Sequence, residues 1–243
     1  MANNFFQFKQ FTVYQQHCAM KVSTDSCIFG AAVAEYFVNK ALLADGAKYY
    51  LDIGTGTGLL SLMLAQKTSP FIDAVEIDAA AFEQAAQNFS TSPFKEKLTA
   101  YHTDVLQFNT DKKYDGIICN PPFFVGDLAS HNEMINAAKH STTFNLQQLL
   151  TTANKYLKPG GVMAVLLPYH RVTEFIQSAN DHHFYLQQQI LLRHTATHAY
   201  FRGILFLSNI PGEPTLKELI IKNEMNVYTN EFIALLKEYY LHL

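Results

Sequence analysis

The residues most able to do chemistry lie together at Asn120-Pro121-Pro122-Phe123, directly after the apolar run Tyr114-Asp115-Gly116-Ile117-Ile118-Cys119. Two successive prolines fix φ and offer no N–H, so the neighbouring carbonyls are held in one orientation. The Asn120 side-chain oxygen and the Pro121 carbonyl can then accept hydrogen bonds from one NH2 group. An exocyclic amine or a carboxamide is a poor nucleophile because its lone pair is delocalised. Two acceptors on its hydrogens draw the nitrogen toward a tetrahedral geometry and localise the pair, so catalysis rests on positioning and electrostatics without a strong base. Phe123 supplies an aromatic face for a flat acceptor. Taken alone, the same four residues also read as a turn closing a strand.

A second cluster precedes it. Asp52, Gly54, Thr55, Gly56 and Gly58 lie in Leu51-Asp52-Ile53-Gly54-Thr55-Gly56-Thr57-Gly58-Leu59, an apolar strand running through glycines into a helix. Glycines allow a sharp turn and close approach of a ligand. The spacing is G-x-G-x-G rather than the dinucleotide pattern G-x-G-x-x-G. Asp52 beside the first glycine repels a phosphate and suits a ligand bearing a sulfonium and an ammonium, which points to S-adenosylmethionine. Glu76 ends the next strand, where an acid holds ribose hydroxyls in such folds. Asp78 reads equally as a helix N-cap and as a ligand contact. Asp104, just past a third strand, is placed to meet an adenine amino group, or is a solvated strand-end acid.

These residues require elements to carry them. Residues 5–24 read as short strands or an extended arm, and residues 25–43 as a helix behind the candidate caps Ser23, Thr24 and Asp25. An α/β rhythm follows: strands at 49–53, 72–77, 98–102, 114–119 and 162–167, with helices at 59–66, 79–89, 146–157 and 171–180. The helix from 146 stops at Lys158-Pro159-Gly160-Gly161. Residues 125–143 are polar and aperiodic, as functional loops are. Residues 185–192 and 200–207 read as a hairpin, and 231–240 as a last helix. No linker divides the chain, so residues 1–243 are expected to form a single α/β domain, with 1–24 an arm over the substrate and cofactor and 25–243 the core.

Composition narrows the function classes. The 243 residues are 49% hydrophobic and 16% charged with a net charge of −3, so any nucleic-acid contact must come from a local patch. Lys139, Arg193 and Arg202 are the candidates for that patch, with Lys9, Lys112, Lys113, His140, Arg171, His194 and His198 behind them. Cys18, Cys27 and Cys119 match no metal-ligand spacing, and an odd, sparse count suits a reducing cytoplasm. No apolar run approaches the about 20 residues of a membrane span, and the first residues lack a signal-peptide pattern. No metal site, membrane association or obligate protein partner is expected.

The glycine loop, the acid and Asn-Pro-Pro-Phe together resemble the Rossmann-like amino-methyltransferase superfamily, whose members modify adenine N6, cytosine N4 or glutamine amide nitrogens. Residues 8–13 and 18–25 narrow the resemblance to the bacterial tRNA(Val) adenine-N6 methyltransferase family, and it continues through 51–64, 74–81 and 117–124. It returns at 165–168, 202–208 and 228–241. The resemblance implies a seven-stranded mixed sheet with helices on both faces and the last strand antiparallel. It implies S-adenosylmethionine as cofactor, a tRNA substrate methylated at the adenine beside the anticodon, and Lys21, Thr24 and Asp25 near the cofactor. Two departures stand out: Phe123 replaces the commoner tyrosine, and Lys139 lies where an arginine is expected. The rival readings are a glutamine-amide methyltransferase acting on a protein such as a release factor, a nicotinamide-dependent oxidoreductase, and a non-catalytic RNA-binding module. The first normally carries an N-terminal helical domain, the second conflicts with Asp52, and the third leaves Asn-Pro-Pro-Phe without a purpose.

Overall fold

The computed structural model describes residues 3–16, 18, 20–41, 47–68, 70–121 and 145–243. Two short strands, β1 (Phe5–Gln7) and β2 (Thr12–Tyr14), pair antiparallel as a small hairpin. Helix α1 (Thr24–Ala41) follows. The main sheet then begins with β3 (Tyr49–Ile53), α2 (Leu59–Thr68), β4 (Phe71–Glu76), α3 (Ala79–Ser90), β5 (Leu98–His102) and β6 (Tyr114–Cys119). After residue 144 come α4 (Leu146–Tyr156), β7 (Leu157–Pro168), α5 (Val172–Asp181), β8 (Tyr185–Arg193), β9 (Arg202–Ser208), β10 (Thr215–Ile220) and α6 (Asn230–Leu236).

The sheet order is β5-β4-β3-β6-β7-β9-β8-β10. Strand β9 runs antiparallel to both β7 and β8, while the other pairings are parallel. The expected 185–192 and 200–207 hairpin is therefore present, as the β8/β9 pair. One expectation is corrected: among the described residues the sheet has eight strands rather than seven. The extra strand, β10, lies at the edge, parallel to β8. Four of its six residues are exposed, so it lacks the apolar face that marks a strand in sequence. The helix from 146 stops at Tyr156, just before Lys158–Gly161, and that segment has a further role. It is an irregularity in the β6/β7 ladder, where Tyr114 opposes Leu157 but Gly116 opposes Val162.

Strand residues alternate between two cores, as the period of 2 demands. Tyr50, Ile118, Ala164 and Phe206 face α1 and α2, while their neighbours Leu51, Ile117, Met163 and Leu205 face α4 and α5. Helix α2 is buried from Leu59 to Ala65, which explains its uniformly apolar sequence. Asn145 and Gln148 form a reciprocal capping box at the start of α4. The N-terminal hairpin is tied to the chain's other end by a bridge between Phe8 and Tyr240 and by Lys9 N–H donating to the Tyr239 carbonyl at 2.8 Å. Among the described residues, no helix is long and apolar enough to cross a membrane.

Candidate active site

The carboxyl ends of β3, β4 and β6 come together because of their register. Ile53 lies opposite Val75 on one side and Cys119 on the other. The glycine loop, Glu76 and Asn120 therefore emerge side by side at the edge where open α/β sheets bind ligands. Gly54, Gly56 and Gly58 all take positive φ, at 69°, 56° and 80°. A Cβ on Gly58 would lie 2.5 Å from the Phe89 ring, whereas none of the described atoms crowds a Cβ at Gly54 or Gly56. The first two glycines leave open space along the loop, and the third permits α2 to pack against α3. Thr55 is buried, and its N–H, like that of Gly54, donates to the Val75 carbonyl.

Asp52 is wholly buried. Its Oδ2 accepts from Thr55 Oγ1 and Ser61 Oγ, both at 2.7 Å, but its Oδ1 accepts no hydrogen bond. Burial pushes its pKa up to about 6, the two hydroxyls oppose that rise, and Glu76 adds to it. A buried carboxylate oxygen without a partner is costly unless a cation or donor meets it. Glu76 is also buried. One of its oxygens accepts from Gly56 N–H at 2.8 Å, and the other from Ile77 and Asp78 N–H. Two thiols register the negative field of these acids. Cys18 is raised to about 11 by burial, then by Glu76 and Asp78, and Cys119 is raised by burial, then by Asp52 and Glu76. Such a field favours a cationic ligand.

Asn120 continues β6. Its Oδ1 is shielded from water and accepts no hydrogen bond, and Pro121 beside it is buried. An acceptor without a donor thus stands at the strand end next to the glycine loop. Pro122, Phe123 and Lys139 lie outside the described residues. Asp78 caps α3 by accepting from Ala81 N–H, and Asp104 Oδ1 accepts from Leu106 N–H, so both acids hold local turns. Lys21 and Thr24 are exposed at the start of α1. Asp25 accepts from Arg202 Nε at 2.9 Å, joining an expected cofactor residue to an expected RNA contact. Arg193 donates to Glu218 and to the Ala196 carbonyl. Lys112 is paired with Asp73 at 2.7 Å.

Residues that sequence reasoning passed over brace the glycine loop. Asn88, fully buried in α3, exchanges two hydrogen bonds with the Tyr14 backbone and donates to the Thr57 carbonyl at 2.8 Å. Gln84, one turn earlier, accepts from Gln16 N–H. These two side chains clamp the N-terminal arm onto the glycine loop. The available signal was polar residues recurring at helical spacing on an otherwise apolar face. Ser61, an acceptor-seeking hydroxyl inside an apolar helix, is the other; it donates to Asp52.

The methyltransferase small domain family matches residues 20–182. A tRNA1(Val) (adenine(37)-N6)-methyltransferase of Dyadobacter fermentans is 38% identical over 98% of both chains, and one of Phocaeicola vulgatus is 36% identical over the full length of both. The chain belongs to the tRNA1(Val) (adenine(37)-N6)-methyltransferase family. Solved structures agree on the fold of this methyltransferase. A predicted O-methyltransferase of Agrobacterium tumefaciens superposes with a TM-score of 0.65 at 16% identity, covering 87% of this chain and 95% of its own. A glycopeptide N-methyltransferase complexed with S-adenosyl-L-methionine gives 0.54 at 10% identity, covering 75% and 94%. The methyltransferase family members are thus related along the whole sequence, from the arm to the C-terminal helix, and the match is not confined to the glycine loop.

Proposed function

We propose that this methyltransferase binds S-adenosylmethionine between the glycine loop and Glu76 and methylates N6 of the adenine beside the anticodon of tRNA1(Val), in the cytoplasm. The observation that carries the reading is the pair of unpartnered, water-shielded oxygens, Asn120 Oδ1 and Asp52 Oδ1, carried by the neighbouring strands β6 and β3. A buried acceptor without a donor costs about 1–3 kcal/mol, so its natural complement is a ligand donor. The pocket's acids match the cofactor's charges: Asp52 and the surrounding field attract the cation, and Glu76 accepts from ribose hydroxyls. When bound, the cofactor supplies an electrophilic methyl group on a sulfonium. Asn120 Oδ1 and the Pro121 carbonyl accept the hydrogens of the adenine amine and turn its lone pair toward that methyl, and the surplus proton leaves to water. Phe123 stacks on the base, and the arm held by Asn88 and Gln84 closes over the cofactor. Names carried by the full-length relatives supply the tRNA and the nucleotide.

The test is methylation of total tRNA from a strain lacking the gene, with labelled cofactor and mass analysis of the nucleosides. Label in N6-methyladenosine at the position next to the anticodon is expected. Label in a release-factor glutamine with none in tRNA would transfer the same chemistry to a protein substrate.

A further inference from the structure

The edge that carries Asn120 continues across β7, β9 and β8, and its character changes from acidic to aromatic and basic. Tyr169 follows the end of β7, Tyr200 and Phe201 precede β9, and Arg193 ends β8. Pro168 lies opposite Arg202, and Leu192 opposite the same arginine, so these ends are adjacent. The Tyr169 and Tyr200 rings lie 5.3 Å apart, and Tyr169 is 43% exposed. Tyr200 is braced from behind. Its hydroxyl donates to Glu218 Oε2 at 2.6 Å, and the Arg193 guanidinium, itself paired with Glu218, sits 5.3 Å from its ring centroid. Beside them His194 stacks on Phe201 at 4.3 Å and 5°.

We propose that Tyr169 and Tyr200 form a stacking platform for an unpaired nucleotide that adjoins the target adenine, with the Arg193–Glu218 pair positioning Tyr200. The inference rests on the tRNA reading above. Two strand spacings, about 10 Å, separate β6 from β9. Tyr200, before β9, is therefore too far from Asn120 to hold the reacting base, and Tyr169, at the end of the intervening β7, lies between them, so the pair is placed to hold a neighbouring base. Glu218 neutralises Arg193, so the patch offers aromatic faces rather than a phosphate clamp. Loop nucleotides are recognised in this way, on aromatic and guanidinium planes. Sequence alone marked Arg193 as an RNA contact, and the ion pair gives it a supporting role instead.

The experiment is binding of the unmodified tRNA1(Val) anticodon stem-loop, measured across a salt series. Tyr169→Ala and Tyr200→Ala should each raise its Kd about 5- to 100-fold, with the salt slope and the affinity for S-adenosylmethionine unchanged. Tyr169→Phe should bind as the parent does, because the ring does the stacking. Arg193→Ala should raise KM for the hairpin with kcat and the salt slope unchanged. Parental affinity in both alanine variants would overturn the platform, and a slope reduced by about one in Arg193→Ala would make that residue a phosphate contact and overturn its positioning role. A parent enzyme that neither binds nor methylates the hairpin would instead remove the tRNA reading on which the platform depends.

Discussion

At the scale of single residues, the proposed function rests on two unpartnered oxygens, Asp52 Oδ1 and Asn120 Oδ1. In the proposed reaction, Asn120→Ala removes an acceptor that matters most as the target nitrogen turns tetrahedral. The loss should fall on kcat, about 10²–10³-fold, with cofactor affinity nearly intact, in single-turnover methylation of tRNA. Asp52 gives a pH signature. Its folded pKa of about 6 lies above its unfolded value, so the folded chain retains a proton that the unfolded chain releases. Stability should therefore fall as pH rises from about 4 to about 6, by about 1.4 kcal/mol per unit, and then level off. Cofactor binding should move the other way. It should tighten about tenfold between pH 5 and pH 7, since the ionised acid attracts the cation. Denaturant titrations and calorimetry on Asp52→Asn should show both dependences flattened.

At the scale of elements, the arm and α3 act as one unit with the glycine loop. Asn88 joins β2 to Thr57 through three hydrogen bonds of 2.8–2.9 Å. Asn88→Ala leaves Tyr14 and Thr57 backbone groups unsatisfied in a buried setting and should cost about 1–3 kcal/mol. Hydrogen exchange should then accelerate in residues 12–16 ahead of the sheet, and cofactor affinity should fall because the loop is no longer held. Uniform loss of protection across the molecule would argue against this coupling. The Asp25–Arg202 pair plays a comparable part, tying the start of α1 to the start of β9, on the same edge as the aromatic cluster.

At the scale of the whole molecule, a chain with net charge −3 must bind a polyanion through local contacts. The kcat/KM for tRNA should fall about tenfold or more between 50 and 200 mM salt as counterions are released, while affinity for the cofactor stays nearly constant. Equal salt dependence for both ligands would argue against a phosphate-bearing substrate. The character of the sheet edge changes along its length. Acids surround the glycine loop, whereas aromatic rings and the ion-paired Arg193 and Arg202 occupy the ends of β7, β8 and β9.

Much of this architecture follows from the sequence alone. The largely buried strands 49–53, 114–119 and 162–167 declare themselves because an apolar run bounded by glycine, proline or polar residues has few other folded solutions. The glycine loop, Glu76 and Asn120 are legible for the same reason, since each sits at the end of such a strand. Strand β10 was not legible, because an exposed edge strand needs only a neighbour's backbone and leaves little hydrophobic pattern. Nor could spacing reveal that Asn88 meets Tyr14, that Arg202 meets Asp25 177 positions earlier, or that Glu218 claims Arg193. A side chain's local pattern reports whether it is buried or exposed. Which partner satisfies it depends on how distant strands are ordered in the sheet, and only the tertiary structure decides that.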